Sequence, residues 1–237
     1  MGASMNITIS GYNRPEYLAR TCEALSRCVG VASCNITMLL DPCDQTPECR
    51  EIAERYGWQV YVYEAHAGCN GSIRTCLEYG FRMKGGDYHV HLEDDCVPTR
   101  DALLWFSWAR DRYRYDPNVF TVSGYRRDSG GCLDTSGIRR WFTPWGWATW
   151  PDRAEQMLRG WAADDGPSWD IIVNHVLRGP RCEAFPSVSR IQNIGAEKGV
   201  HVPNAVWHAA NHHVPVTADD LDGEPVMFFK PTEVCPS

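Results

Sequence analysis

Three consecutive carboxylates, Glu93, Asp94 and Asp95, end the run "YHVHLEDD" at residues 88–95, directly after a stretch in which apolar and polar residues alternate. Like charges this close repel and raise one another's pKa, so the cluster calls for a positive partner. A solvated turn is one solution. A divalent cation is another, because Mg²⁺ and Mn²⁺ prefer hard oxygen ligands and bind through one or two carboxylates together with substrate phosphates. A further acid, Asp170 in "SWDII", stands at the start of a helical pattern, where it serves either as a general base or as a residue favoured by the helix dipole. "TPWGWATW" (143–150) offers Trp145 and Trp147 as flat apolar faces for a ligand, with Gly146 between them allowing close backbone approach, and core packing accounts for at least one of the two tryptophans.

These residues need a frame, and the first hundred residues supply a regular one. "MNITIS" alternates as a strand. "GYNRPEYLARTCEALSRC" follows with a turn, a proline near a helix start and apolar residues at helical spacing. "NITMLLD" is a second strand ending on Asp41, "TPECREIAERYG" a second helix, "WQVYVYE" a third strand and "GSIRTCLEYGFRMK" a third helix before the strand that carries the acids. Alternation of this kind predicts an α/β fold with a mostly parallel sheet flanked by helices. Ligands in such sheets bind at the carboxyl ends of the strands, where Asp41 and the acidic triplet both fall.

The second half is less regular. "NVFTVSGY" is predicted as a strand, "RAEQMLRGW" and "SWDIIVNHVL" as helices, and "PSVSRIQNIGAEKGVHVPN" as a strand running into a glycine-punctuated loop. The last thirty or so residues, with His208, His212 and His213, are expected to form an extended tail over the surface or a ligand. The reading is of one domain in two parts, 6–125 with the regular alternation and 126–237 with the less regular segments.

Composition narrows the classes. The chain has 237 residues, enough for one substantial domain, and a net charge of −7, which argues against a general nucleic-acid coat protein. Arginines interleaved with aromatics in "RDRYRY", "YRRD" and "IRRW" leave room for a local basic groove. No apolar run of membrane-spanning length and no signal-peptide core appear, so a soluble, cytoplasmic protein is expected, with "MGAS" set aside as a remnant before Met5. Eleven cysteines without a Cys-x-x-Cys pair speak against zinc, and most are expected to be reduced core residues.

Taken in order, "GYNRPEYLARTCEAL", "LLDPCD", "HLEDDCVP", "VSGY", "TPWGWATW", "SWD" and "SRIQNIGAEKGVH" resemble the GT-A glycosyltransferases, in particular the N-acetylglucosaminyltransferase I type and its bacterial and viral relatives, over about residues 6–202. The resemblance implies a UDP-sugar donor, Mn²⁺ or Mg²⁺, and transfer of the sugar to an acceptor hydroxyl with inversion. It implies Asp95 as the metal ligand, Asp94 on sugar or ribose hydroxyls, and Glu93 orienting both. Arg14 and Asp41 would hold the uracil in a nucleotide-sugar-binding half, 6–125, with 126–237 on the acceptor side, and Arg74 would reach the diphosphate or the acids or serve as a surface salt-bridge partner. Trp145, Gly146 and Trp147 would wall the sugar, and His201, in the loop between Gly195 and Gly199 and beyond, would contact the diphosphate or metal. The general base of the relatives lies in a Trp-Asp-Asp-Trp element. Here the sequence is Trp169-Asp170-Ile171-Ile172, so Asp170 takes the role, with Asp164 and Asp165 as alternatives on the preceding loop.

The acceptor stays open between a glycan or glycoconjugate and hydroxymethylated DNA. Two other classes stay open as well. A nucleotidyltransferase would share the strand-end acids but needs a Gly-rich phosphate loop where this chain has only "SGYNRP". A non-catalytic sugar- or nucleotide-binding module is favoured by the departure at Ile171.

Overall fold

The computed structural model describes residues 5–83, 86–161, 168–197 and 202–231. Its first part follows the alternation closely. Strands β1 (Asn6–Gly11), β2 (Asn35–Leu40), β3 (Gln59–Val62) and β4 (His89–Glu93) are joined through helices α1 (Pro15–Ser26), α2 (Thr46–Glu54) and α3 (Gly68–Glu78). All four strands run parallel, in the order β4-β1-β2-β3. Pro15 and Glu16 favour the start of α1, which buries Leu18, Thr21, Cys22 and Leu25 along one face. The apolar side of β1 and β4, with Ile7, Ile9, Val90 and Leu92, belongs to the main core.

The other side of the same two strands is polar. Thr8 Oγ1 is 2.8 Å from His89 Nε2 and 3.1 Å from His91 Nδ1, and Ser10 Oγ is 3.5 Å from His91 Nε2. Asn6 Nδ2 donates to the carbonyl of Gly80 at 2.7 Å, in the π-helical turn Tyr79–Met83 that extends α3. Burial lowers both histidines, His89 to about 3. A column of hydrogen-bonded polar side chains thus leads up the sheet to Glu93.

Beyond β4 come β5 (Cys96–Pro98), α4 (Ala102–Tyr113), β6 (Val119–Ser123), β7 (Thr135–Arg139) and β8 (Trp147–Thr149). The chain continues through α5 (Pro151–Gly160), α6 (Trp169–Ile172), β9 (Cys182–Pro186), β10 (Ile191–Asn193), α7 (Ala205–Asn211) and β11 (Lys230–Pro231). The sheet has nine strands in the order β11-β7-β9-β6-β8-β4-β1-β2-β3, and β8 is antiparallel to both β4 and β6. β5 and β10 form a separate antiparallel ribbon at the end of β4. This is the α/β architecture that the alternation predicts, extended by elements that it does not, among them α4, β7, β9 and α7.

The expected extended tail contains α7. Asn204 caps it, its side chain accepting from the Trp207 amide at 2.9 Å, and His208 is buried beneath it. Among the described residues no helix is long and apolar enough to cross a membrane. Nine described cysteines are free, and Cys182 is disulfide-bonded.

Candidate active site

The acids sit where a parallel sheet puts its ligands. Immediately after β4, the Asp94 carbonyl accepts from Thr21 Oγ1 of α1 at 2.8 Å, which fixes the turn, and Asp94 and Asp95 are nearly fully buried. Their counter-charge comes from the protein. Arg14, at the start of α1, forks both oxygens of Asp94 and donates from Nη1 to Asp95 Oδ2 at 2.9 Å. Burial opposes the Arg14 charge, but Asp95 and Asp94 beside it raise its pKa above the ordinary value. Burial, then Asp95, pushes the Glu93 carboxyl well up. Burial also raises Asp94, to about 6, against the pull of Arg14.

These residues line a cavity of about 660 Å³. One end is formed by Tyr12, Asp41 and His66. Asp41 is buried, and its two oxygens accept from the amides of Ala67 and Gly68 at 2.8 and 3.0 Å. His66 Nδ1 lies 3.0 Å from Asp41 Oδ2, and the His66 ring is 5.1 Å from that of Tyr12. Asp41 therefore builds the turn that enters α3, and the flat exposed surface beside it belongs to Tyr12 and His66. Arg14, expected on the same nucleobase, instead partners the acids.

Another wall comes from α6. Asp170 lies in its first turn and accepts a hydrogen bond from Ser168 Oγ, while the Trp169 amide donates to Asn70 Oδ1 at 3.0 Å. Ile171, next to it, lines the cavity and is 49% exposed. Asp164, Asp165, His201 and Gly199 lie outside the described residues.

The aromatic segment divides its labour. Trp145 lines the cavity, with its ring 4.3 Å from His212 and 4.7 Å from Tyr125. Gly146 turns the chain there with φ +60°, a conformation that favours glycine. Trp147 departs from the expected sugar wall: it is fully buried in a second core between Phe142, Trp169 and His91. Its place in β8 points it inward, since successive residues of a strand face opposite sides. Arg74 also departs from expectation. Its guanidinium donates to the carbonyls of Leu158 and Trp161 at the end of α5 and pairs with Glu78, so it ties α3 to α5 and does not line the cavity.

Further residues from the second half of the chain gather around the acids and the cavity. Asn193, at the end of β10, points Nδ2 at Asp95 Oδ1 at 3.5 Å and is 2.7 Å through Oδ1 from His208 Nε2. His212 lines the cavity; burial lowers it to about 4 and lowers His208 as well. A glycine is required at 195, because a Cβ there would lie 2.1 Å from Asp95 Oδ2. The histidines of the tail were visible in the sequence as a cluster, whereas Asn193 and Tyr12 carried no signal beyond their neighbourhood to recognised segments.

Among the described residues no group of three His, Cys, Asp or Glu side chains is assembled around a common metal position. A cation that keeps most of its coordination in water and phosphate needs only one direct carboxylate. Asp95 fits that demand: it lines the cavity, and its Oδ1 has only the long Asn193 contact and the Cys96 thiol at 3.7 Å.

Several arginines of the arginine-aromatic segments are engaged within the protein. Arg139 pairs with the buried Glu183 at 2.7 Å, Arg114 with Asp152 at 2.9 Å, and Arg110 with Asp111 at 2.7 Å. Arg127 donates to the Ala210 carbonyl at 2.7 Å.

No family model matches the chain, and no curated protein matches it in sequence. Solved structures do match in fold. A mannosyltransferase, PcManGT, from Pyrobaculum calidifontis, solved with GDP-Man and Mn²⁺, is 17% identical with a TM-score of 0.51; the match covers 71% of this chain and 50% of that one. TarS 1-349 from S. aureus is 10% identical with a TM-score of 0.58, over 79% and 59% of the two chains. GalNAc-T7, solved with UDP, GalNAc and Mn²⁺, is 12% identical with a TM-score of 0.58, over 81% and 43%. The chain thus spans about half the length of the structures it matches. At these identities the likeness shows the GT-A fold. None of the three is of the N-acetylglucosaminyltransferase I type, so that closer resemblance is not carried further.

Proposed function

We propose that the protein is a glycosyltransferase that moves a sugar from a UDP-sugar to an acceptor hydroxyl with inversion. The observation that carries this reading is one cavity lined by the strand-end acids, an aromatic slot and the carboxylate of Asp170. The nucleobase lies against Tyr12 and His66, in the turn held by Asp41. The diphosphate lies at the strand ends beside Asp95 and Arg14, and Trp145 gives the donor sugar an apolar face. Asp95 would hold a divalent cation, which when bound would supply positive charge against the leaving diphosphate.

The remaining chemistry belongs to Asp170. Its carboxylate takes the proton of the acceptor hydroxyl as that oxygen bonds to the anomeric carbon. The bond from that carbon to the diphosphate breaks with its electron pair leaving on the phosphate oxygen. Attack from the face opposite the diphosphate inverts the configuration. Ile171 cannot accept a proton, and its exposed side chain forms an apolar lip next to the base.

The donor sugar is proposed to be a hexose or N-acetylhexosamine, and the acceptor a glycan or glycoconjugate. The engaged arginines give hydroxymethylated DNA no support. The protein is to be incubated with Mn²⁺ and a panel of nucleotide sugars, with release of nucleoside diphosphate measured with and without sugar acceptors. Donor-specific release that is lost in Asp95→Ala supports the proposal. Binding without turnover for every donor and acceptor would leave a sugar-binding module in its place.

A further inference from the structure

Arg14 already pairs with the carboxylate on which a cation would sit. Its side chain is only 14% exposed, it grips both oxygens of Asp94, and its Nη1 sits on Asp95 Oδ2. On another side, Oδ2 is closed off by the Gly195 backbone, where even a Cβ would collide with it. The guanidinium also lies 5.5 Å from the Tyr17 ring. The Tyr17 hydroxyl in turn accepts from the Glu197 amide at 3.0 Å, which ties that ring to the loop carrying Gly195. Arg14 is therefore a fixed partner of the acids and not a mobile surface charge.

We infer that Arg14 is a resident counter-cation that competes with the divalent ion for Asp95 and so sets how tightly the ion binds in the absence of nucleotide. An ion on the open Oδ1 would share the Asp95 carboxylate with the guanidinium on Oδ2, and like charges at this range repel. The ion and Nη1 would draw on the same carboxylate, so binding the one weakens the hold on the other, while the fork to Asp94 keeps the guanidinium in place. Weak metal binding by the free protein follows. This inference rests on the proposed role of Asp95 as the metal ligand.

Mn²⁺ alone is the probe, titrated into nucleotide-free protein and followed by the paramagnetic resonance signal of the unbound ion. Arg14→Lys is the informative variant, because it keeps the charge but loses the planar fork that spans Asp94 and Asp95. It should bind Mn²⁺ roughly threefold to tenfold more tightly than wild type, the scale of a partly exposed ion-pair contact. Arg14→Gln should bind it more tightly still, and Asp95→Asn should abolish binding in every background. Tyr17→Leu leaves acids and guanidinium in place but removes the ring beside Arg14, and should tighten binding in the same direction. Should an Arg14 variant fold poorly, the gain in Tm on adding Mn²⁺ gives a second readout, larger in the variant than in wild type.

If Arg14→Lys and Tyr17→Leu both bind Mn²⁺ no more tightly than wild type while Asp95→Asn binds none, the competition is refuted and the metal assignment survives. If Asp95→Asn binds Mn²⁺ as wild type does, the assignment itself falls and this inference with it.

Discussion

Acid should destabilise the protein through His89. The ring is 1% exposed between β1 and β4, Nε2 pairs with Thr8 and Nδ1 has no hydrogen-bond partner, and burial holds its pKa down to about 3. In the unfolded chain the same imidazole titrates near about 6.5. The unfolded state therefore takes up a proton that the folded state excludes. The stability contributed by the neutral ring is fully present above pH 6.5 and is lost progressively as the pH falls toward about 3. Between pH 7 and 4.5 the loss is roughly 2.5–3 kcal/mol, a sizeable part of the stability of an ordinary domain. Glu93 and Asp94 act in the opposite sense: burial raises them, so they bind protons more readily when folded and add stability as the pH falls. The net curve of the wild type thus mixes both signs. His89→Gln isolates one of them, because glutamine keeps a polar group near Thr8 and cannot titrate. Urea unfolding at pH 7, 5.5 and 4.5 should show the variant less stable at neutral pH, since Gly80 packs directly on the imidazole, yet flatter in its acid dependence by roughly 2.5 kcal/mol. Parallel pH curves for the two proteins would refute the account of His89 as a buried neutral ring.

Asp170→Asn should retain donor and Mn²⁺ binding and lower kcat for sugar transfer by roughly 10²-fold or more, the scale of a positioned base. Near-normal transfer by this variant together with inactivity of Asp164→Asn or Asp165→Asn would move the base to the preceding loop. Asp41→Ala leaves the amides of Ala67 and Gly68 without their acceptor, so it should cost about 2–4 kcal/mol in chemical denaturation and weaken donor binding through a disordered turn; an unchanged denaturation midpoint would contradict the capping role. Trp145→Ala should raise KM with little change in Tm, whereas Trp147→Ala should cost roughly 3–5 kcal/mol of stability. Equal effects of the two on Tm would show that the tryptophans are not divided between cavity and core.

The parallel half of the sheet and the position of Asp41, Asp95 and Asp170 on one cavity were legible because each rests on a local signal. Strand alternation, helical spacing and acids at strand ends all lie within a few residues of one another. Side-chain partners far apart in the chain leave no such trace. Arg14 and Asp94 are separated by 80 residues, and Arg74 and Trp161 by 87, so nothing local says which arginine neutralises the acids and which one caps a helix. Trp145 and Trp147 have identical chemistry and differ only in which side of the chain faces the cavity. α4 carries Trp105, Phe106, Ala109 and Tyr113 at helical spacing, but its arginines give the segment the look of a binding surface. α7 is short, seven residues, and begins only one residue after Asn204, where a proline-flanked stretch resembles a loop until the cap is seen.

The polar column between β1 and β4 has a consequence for how the chain finds its alignment. Two apolar parallel strands would pair almost as well after sliding past each other, but hydrogen-bonding side chains do not allow it. A slip of one residue would turn Asn6, Thr8 and Ser10 toward the apolar core and leave His89 and His91 without partners. A slip of two would keep the faces but carry the loop bearing Arg14 roughly 6–7 Å away from the acids that follow β4. The histidines beneath the cavity therefore act as a vernier, making the one alignment that brings Arg14 to Asp94 and Asp95 also the one in which Thr8 meets both His89 and His91.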